Sequence, residues 1–309
     1  MNLIFRIGVN IVRKNMAKHD KKVKDSLPKV NKVNKYLSLN YTDNDKDEFR
    51  KFNIYRPENE NKNLPLIIDI HGGGWVYGDK DLNDEYASYL ASKGYNVVTF
   101  SYRLLTMTNL KGMVNDIFTF FNHIYKNKDL YKLSFDNVMI SGDSAGGHLA
   151  LLVLAINNSK KLQDIYEVKP FSFAVDFLVL EHPCAFINEI FLPNKGFNKL
   201  INKWYRDSFY KPSKKSKDIK ENASLDEFIK YASYPPILTC SCTGDDLIPF
   251  YNRMIEVFNQ NSINYESKVY NGLYHVFEIL DYTLKESREF NDYSLKRFNE
   301  IIVKKGGIN

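Results

Sequence analysis

From about residue 49 onward, short apolar runs alternate along the chain with longer stretches whose apolar positions recur every three or four residues. The runs Phe49 to Tyr55, Leu66 to Ile70, Asn96 to Ser101, Val138 to Ser141, Phe173 to Leu180, Ile237 to Cys242 and Ser267 to Tyr270 predict strands. Between them, Leu82, Tyr86 and Leu90 recur every four residues and stop at Gly94, which predicts a helix with a glycine end. Val114 to Tyr125, His148 to Ile156, Ile255 to Phe258 and Leu284 to Ile302 predict further helices, and the second, nearly apolar throughout, predicts burial on all sides. Strands and helices that alternate in this way predict an α/β fold with a mostly parallel central sheet and helices on both faces.

Two segments break the alternation. Residues 1–45 are rich in Lys and Asn with little strand character, and residues 184–232 place a long aromatic passage between two strands. The expected organisation is an N-terminal cap segment (1–45), a core in two parts (46–183 and 233–309) and a cap insertion (184–232). Insertions of that length in a compact domain commonly form lids or substrate walls. Phe186, Ile187, Ile190, Phe191, Phe197, Trp204, Tyr205, Phe209 and Tyr210 supply its apolar surface, most of it for packing. Near the N-terminus, Leu3, Ile4, Ile7 and Ile11 would line one helical face, with Arg6, Asn10 and Arg13 elsewhere. A cap helix packed on the body is the plainer expectation, and contact with a membrane surface is the alternative. No run is long and apolar enough to span a bilayer, and no small-residue cleavage site follows the N-terminal stretch, so a cytoplasmic protein is expected.

Chemistry concentrates in two glycine clusters that hold six of the fifteen glycines, each placed after a predicted strand and before a predicted helix. Gly142-Asp143-Ser144-Ala145-Gly146-Gly147 reads as a Gly-x-Ser-x-Gly nucleophile elbow, in which glycines flank a serine held in a strained turn. That pattern alone arises by chance in roughly one chain in twenty of this length and composition. His71-Gly72-Gly73-Gly74-Trp75 is far rarer, and its bare backbone leaves N–H groups able to face a developing oxyanion. The two motifs also stand in the order the mechanism requires.

A serine hydroxyl needs a general base, and the base needs an orienting carboxylate. Beyond His148, which lies in the helix directly behind the elbow, only His182 and His275 follow in the chain, and His275, in a glycine-containing loop after the last predicted strand, is the first choice. His182 directly follows a strand and remains the alternative base. His71 is expected to shape the glycine loop, and His148 to be packed. The acid falls in Thr243-Gly244-Asp245-Asp246, where Asp245 is preferred over Asp246, the other being expected to cap the next helix.

The chain resembles the hormone-sensitive-lipase-like (His-Gly-Gly-Gly) branch of the α/β-hydrolase esterases over about residues 62–300. The resemblance rests on His71 to Asp79, Ser101-Tyr102-Arg103-Leu104, Gly142 to Gly147, Asp245-Asp246-Leu247 and His275-Val276-Phe277. It implies an α/β-hydrolase fold with a helical cap, Ser144 as nucleophile, His275 as base and Asp245 as acid. It also implies an oxyanion hole built from the N–H groups of Gly72, Gly73 and Ala145. Two departures stand out: Leu105-Thr106 replace the usual Ala-Pro, and Asp246 replaces the proline after the acid.

Composition narrows the picture further. The formal charge of +6 comes from lysines interleaved with Asn, Asp and Ser without aromatic stacking partners, which argues for a solvated surface and against nucleic-acid binding. Three cysteines form no disulfide framework. No ligand spacing suggests a metal, and no cofactor is expected. The expected activity is metal-independent hydrolysis of small carboxylic esters with short acyl chains. The alternatives are an amide or formamide hydrolase or an acyltransferase with the same triad, and a non-catalytic binding protein on this fold.

Overall fold

The computed structural model describes residues 3–44, 46–58, 63–190 and 197–306, with side chains from residue 7 on and without those of 197–201. Its strands are β1 (Val33–Asn40), β2 (Lys51–Pro57), β3 (Leu66–Ile70), β4 (Asn96–Phe100), β5 (Val138–Asp143), β6 (Phe177–Glu181), β7 (Ile237–Cys242) and β8 (Tyr265–Tyr270). The principal helices begin with α1 (Leu3–Lys24), α2 (Asp84–Ser92), α3 (Leu110–Lys126), α4 (Ala145–Asn158) and α5 (Lys160–Tyr166). In the insertion follow α6 (Ile187–Ile190), α7 (Phe197–Tyr210), α8 (Ser216–Lys220) and α9 (Leu225–Phe228). Then come α10 (Ile248–Gln260), α11 (Phe277–Leu280) and α12 (Lys285–Gly306).

The strands form one eight-stranded sheet in the order β1-β2-β4-β3-β5-β6-β7-β8. β2 runs against both of its neighbours, and every other pairing is parallel. A parallel sheet survives only with both faces covered, and strand alternation sorts the side chains accordingly. Ile68, Ile140 and Leu178 face a core shared with α3, α4 and α10, whereas Ile67, Met139 and Val179 face α2 and α12. The aromatic wealth of the sequence goes into this first core, where the Phe100 and Phe120 rings stack with centroids 4.1 Å apart.

Most predicted elements recur with shifted ends, and the exceptions have physical reasons. β1 was not predicted, because its composition is polar and its alternation breaks at a bulge between Tyr36 and Leu39. Ser38 there takes a positive φ of 59° and donates its N–H to Asn53 Oδ1 at 2.8 Å. Such polarity and kinking suit an edge strand, which must not invite a further strand. The run from Phe173 starts late as a strand because Asp176 turns back to accept the Val138 N–H at 2.9 Å, leaving Phe173 in an aromatic cluster with Phe121 and Phe171.

The N-terminal helix packs on the body against α7 and α11, but through a different face from the one expected. Val9 is buried, whereas Ile7 and Ile11 are 52% and 56% exposed, and the side chains of Leu3 and Ile4 lie outside the described residues. In the insertion, Phe186, Ile187, Phe209 and Tyr210 are buried, Ile190, Trp204 and Tyr205 half-buried, and Phe191 and the Phe197 side chain fall outside the described residues. Among the described residues, no helix is long and apolar enough to cross a membrane. The sheet's carboxyl edge lies beneath these helices, and the chemistry gathers there.

Candidate active site

Ser144 occupies the turn between β5 and α4 with φ 49° and ψ −111°, a conformation that L-residues adopt only under constraint. The constraint is packing: a Cβ on Gly146 would lie 1.8 Å from the Ile70 carbonyl oxygen, and one on Gly142 would lie 2.8 Å from that of Gly146. The glycines therefore let α4 sit against β3, and the serine is lifted out at the sheet's edge.

Two loops bring it partners. His275 Nε2 lies 2.9 Å from Ser144 Oγ, and His275 Nδ1 lies 2.7 Å from Asp245 Oδ2. The loops can approach because residue 244 is glycine: a Cβ there would come within 2.1 Å of the carbonyl oxygens of both Leu273 and Gly272. Asp245 Oδ1 accepts the Leu247 N–H at 2.9 Å. Burial works against the Asp245 charge, yet the hydrogen bonds from His182 and His275 outweigh it and hold the carboxyl well below the usual range. Asp246, in contrast, is exposed, and the expected capping role is not seen, since Leu247 occupies the N-cap of α10.

The glycine loop requires a correction. Gly72 N–H, expected to face an oxyanion, instead donates to Asp143 Oδ1 at 2.9 Å. A hydrogen already given to a buried carboxylate is not available to substrate. Among the described residues, the N–H groups of Gly73, Gly74 and Ala145 have no acceptor. Asp143 also accepts from Asn83 Nδ2 at 3.0 Å, so the elbow's second residue braces the loop. His71 does the shaping expected of it: its Nδ1 sits 3.0 Å from the Gly72 carbonyl oxygen and its ring stacks on Tyr102. Burial pushes the imidazolium of His71, and likewise of His148, down to about 4, so both are neutral at ordinary pH.

Behind the triad lies a buried group that sequence spacing did not show. His182 Nδ1 approaches the same Asp245 Oδ2 at 2.5 Å, and its Nε2 stands 3.3 Å from Glu278 Oε2. That second approach is off the hydrogen-bonding angle, so the pairing is chiefly Coulombic. The Cys240 thiol donates to Glu278 Oε1 at 2.6 Å. His182, Cys240 and Glu278 have metal-ligating atom types within 4.8 Å of one another, as do His182, Asp245 and His275. Burial raises the Cys240 thiol well above its ordinary value, so it is the protonated donor rather than a thiolate ligand. Cys184 Sγ lies 3.4 Å from Ser144 Oγ, and burial pushes that thiol up to about 12, which removes it as a rival nucleophile.

A cavity of about 90 Å³ opens beside Ser144 and His275, walled by Met16, Tyr77, Leu82, Val276 and Leu280. Larger clefts exist, one of about 670 Å³ along α12, but that cleft touches no triad residue. Met16 and Asp20 bring α1 into the cavity wall, although by residues other than those expected.

Comparison with known proteins places this geometry in a family. The family described as BD-FAE matches residues 52–255, about two thirds of the chain, and the chain belongs to that family. The solved structure of esterase B from Lactobacillus Rhamnosis is 28% identical with a TM-score of 0.91, covering 98% of this chain and 96% of that one. The same esterase has been solved inhibited by a tributyrin phosphonate. A putative alpha/beta hydrolase of Acanthamoeba polyphaga mimivirus is 28% identical over 108 residues, 35% of this chain and 31% of its own. A kynurenine formamidase from Danio rerio is 28% identical over 130 residues, 40% of this chain and 39% of its own. The match spans about a third of the length of each of these two relatives, and 83% of that of a versiconal hemiacetal acetate esterase from Dothistroma septosporum, which is 23% identical over 87% of this chain.

The Asp143 brace has a consequence for stability. Burial pushes this carboxyl up to about 6, against bonds from Asn83 and Gly72 that favour its charge. A folded-state value raised above the unfolded one means stability that is full at low pH and lost as pH rises through about 6. Both hydrogen bonds go to Oδ1, so Asp143→Asn keeps them and removes the buried charge. The unfolding free energy of the variant relative to the native chain should therefore grow by about 1–3 kcal/mol between pH 4 and pH 8 in urea titrations. A difference that is flat with pH would contradict the assignment.

Proposed function

We propose that this BD-FAE family member is a serine carboxylic ester hydrolase for small esters with short acyl chains, acting through an acyl-enzyme. The observation that carries the reading is the unbroken chain from Ser144 Oγ to His275 Nε2 and from His275 Nδ1 to Asp245 Oδ2. Ser144 Oγ attacks the acyl carbonyl as its proton passes to His275 Nε2. The carbonyl oxygen becomes an oxyanion toward the N–H groups of Ala145, Gly73 and Gly74. His275 then protonates the departing alcohol. Water enters by the same route in reverse: His275 takes its proton, hydroxide attacks the acyl carbon, and the acid leaves as Ser144 recovers its hydrogen.

The proton inventory supports this division of labour. Asp245 stays ionised and accepts from His275, which fixes the tautomer that leaves Nε2 free to accept the serine proton. We also propose α1 and residues 184–232 as the two halves of the cap, with β1 belonging to the core sheet. The small cavity that α1 helps to wall supports a short acyl group, since each added methylene contributes about 0.8 kcal/mol only while it fits. Three free, buried cysteines suit a reducing, cytoplasmic setting.

A second reading, hydrolysis of a formamide by the same triad, is favoured by the partial similarity to kynurenine formamidase. The experiment that separates them is a panel of p-nitrophenyl esters of graded acyl length together with an N-formyl aryl amide. Specificity constants should peak at about two to six carbons and then drop steeply, with the formamide well below the best ester. Ser144→Ala should lower the best rate by about 10⁴- to 10⁶-fold in folded protein, and EDTA should leave it unchanged. A formamide preference would select the second reading. An active Ser144→Ala protein would overturn both.

A further inference from the structure

Beyond His275 and the Leu247 N–H, the Asp245 carboxylate serves a second imidazole that the reaction does not consume. We propose that His182 is an imidazolium clamped between Asp245 and Glu278, a positioning residue that fixes the acid beneath His275 and extends activity to lower pH. The inference rests on the triad reading above but concerns a group outside the triad.

The proton count follows from the contacts. An ionised Asp245 only accepts, so His182 Nδ1, 2.5 Å from its Oδ2, carries a hydrogen. His182 Nε2 then stands 3.3 Å from a Glu278 oxygen, off the hydrogen-bonding angle, and at that separation a ring that also carries a hydrogen on Nε2 gains a Coulombic attraction that a neutral ring lacks. The Cys240 thiol donates to the other Glu278 oxygen at 2.6 Å, so Glu278 meets its neighbours as an acceptor and the proton facing it belongs to His182. Burial alone would disfavour the cation, but the carboxylates of Glu278 and Asp245 prevail and raise His182 to about 9.

The surroundings close the account. His275 approaches edge-on with ring centroids 5.1 Å apart, and Phe277 covers the ring at 5.7 Å. Glu181, next in the chain, takes hydrogen bonds from Ser141, and burial raises its carboxyl well above the ordinary range, which disfavours its charge. Asp143, raised to about 6, bonds to Gly72 and Asn83 instead. The backbone points the same way: His182 holds a positive φ of 49° while its N–H bonds to the Cys240 carbonyl at 3.0 Å. A bulky residue keeps such a conformation only where the surroundings determine it. Glu278 rides on α11, which begins two residues after His275, so base and counterion move as one piece.

A fixed cation beside His275 disfavours a second positive charge there, so the base remains able to accept a proton at lower pH. The test uses the full chain. In His182→Gln the acid limb of kcat/KM for ester hydrolysis should move to higher pH by about one unit, whatever happens to the plateau. Glu278→Gln should move it the same way, because His182 loses the carboxylate that keeps it charged. A lowered plateau with an unmoved limb would mean that His182 is merely structural and would overturn the proposal. Should the variants fail to fold, ¹⁵N-histidine spectra of the native chain at pH 7.5 decide the matter. Because burial keeps His71 and His148 neutral, one buried ring with both nitrogens protonated is expected, and it is His182. Only singly protonated buried rings would overturn the proposal, and that readout is independent of whether the protein hydrolyses esters.

Discussion

The Asp245 carboxylate gathers three loops at the carboxyl edge of the sheet: it accepts from His275, from His182 and from the Leu247 backbone N–H. A buried carboxylate left with fewer partners would incur a desolvation cost of several kcal/mol, so the loops that bear those donors are held where the charge is. Gly244 permits the approach, since any side chain there would strike the 272–273 backbone. The base, its counter-charge and the strained Ser144 turn thus depend on one another, and the sheet supplies the rigid edge on which they meet.

A second buried carboxylate organises the opposite wall. Asp143 holds the Gly72 N–H and Asn83, and so sets the glycine loop relative to the elbow. The loop's outer side is held from the 184–232 insertion, where the Tyr205 hydroxyl donates to the Gly74 carbonyl. Insertion and glycine loop are therefore mechanically joined. Through Met16 and Asp20, the lysine-rich α1 reaches the same cavity.

Much of this was legible in sequence because its signals are local. The glycines around Ser144 and in the loop at 72–74 mark places where backbones touch, and apolar runs such as Leu66 to Ile70 and Ile237 to Cys242 mark strands buried on both faces. The preference for Asp245 over Asp246 followed from strand-end geometry, and the structure separates them into one buried and one exposed carboxylate. What was not legible is tertiary. Gly72 reads like its neighbours until Asp143 is seen to occupy its hydrogen. The polar edge strand β1 carries too little apolar alternation to announce itself. The face of α1 that packs is set by Val9 and Met16, not by the richer isoleucine stripe. His182 could be weighed only as a rival to His275, because nothing in the spacing of residues 182, 245 and 278 reveals that both histidines share one acid. The three-residue step from His275 to Glu278 was the available hint.

The central claim is that Ser144, activated through His275 and Asp245, is the group that takes up the acyl chain. The most direct measurement is to titrate the protein with a short-chain p-nitrophenyl phosphonate, count the released nitrophenol and locate the adduct by peptide mass spectrometry. The account predicts one equivalent released, one adduct on the peptide bearing Ser144, and labelling that fades in acid as the base is protonated. Ester hydrolysis that continues with Ser144 unlabelled, or an adduct on Cys184 in its place, would contradict it.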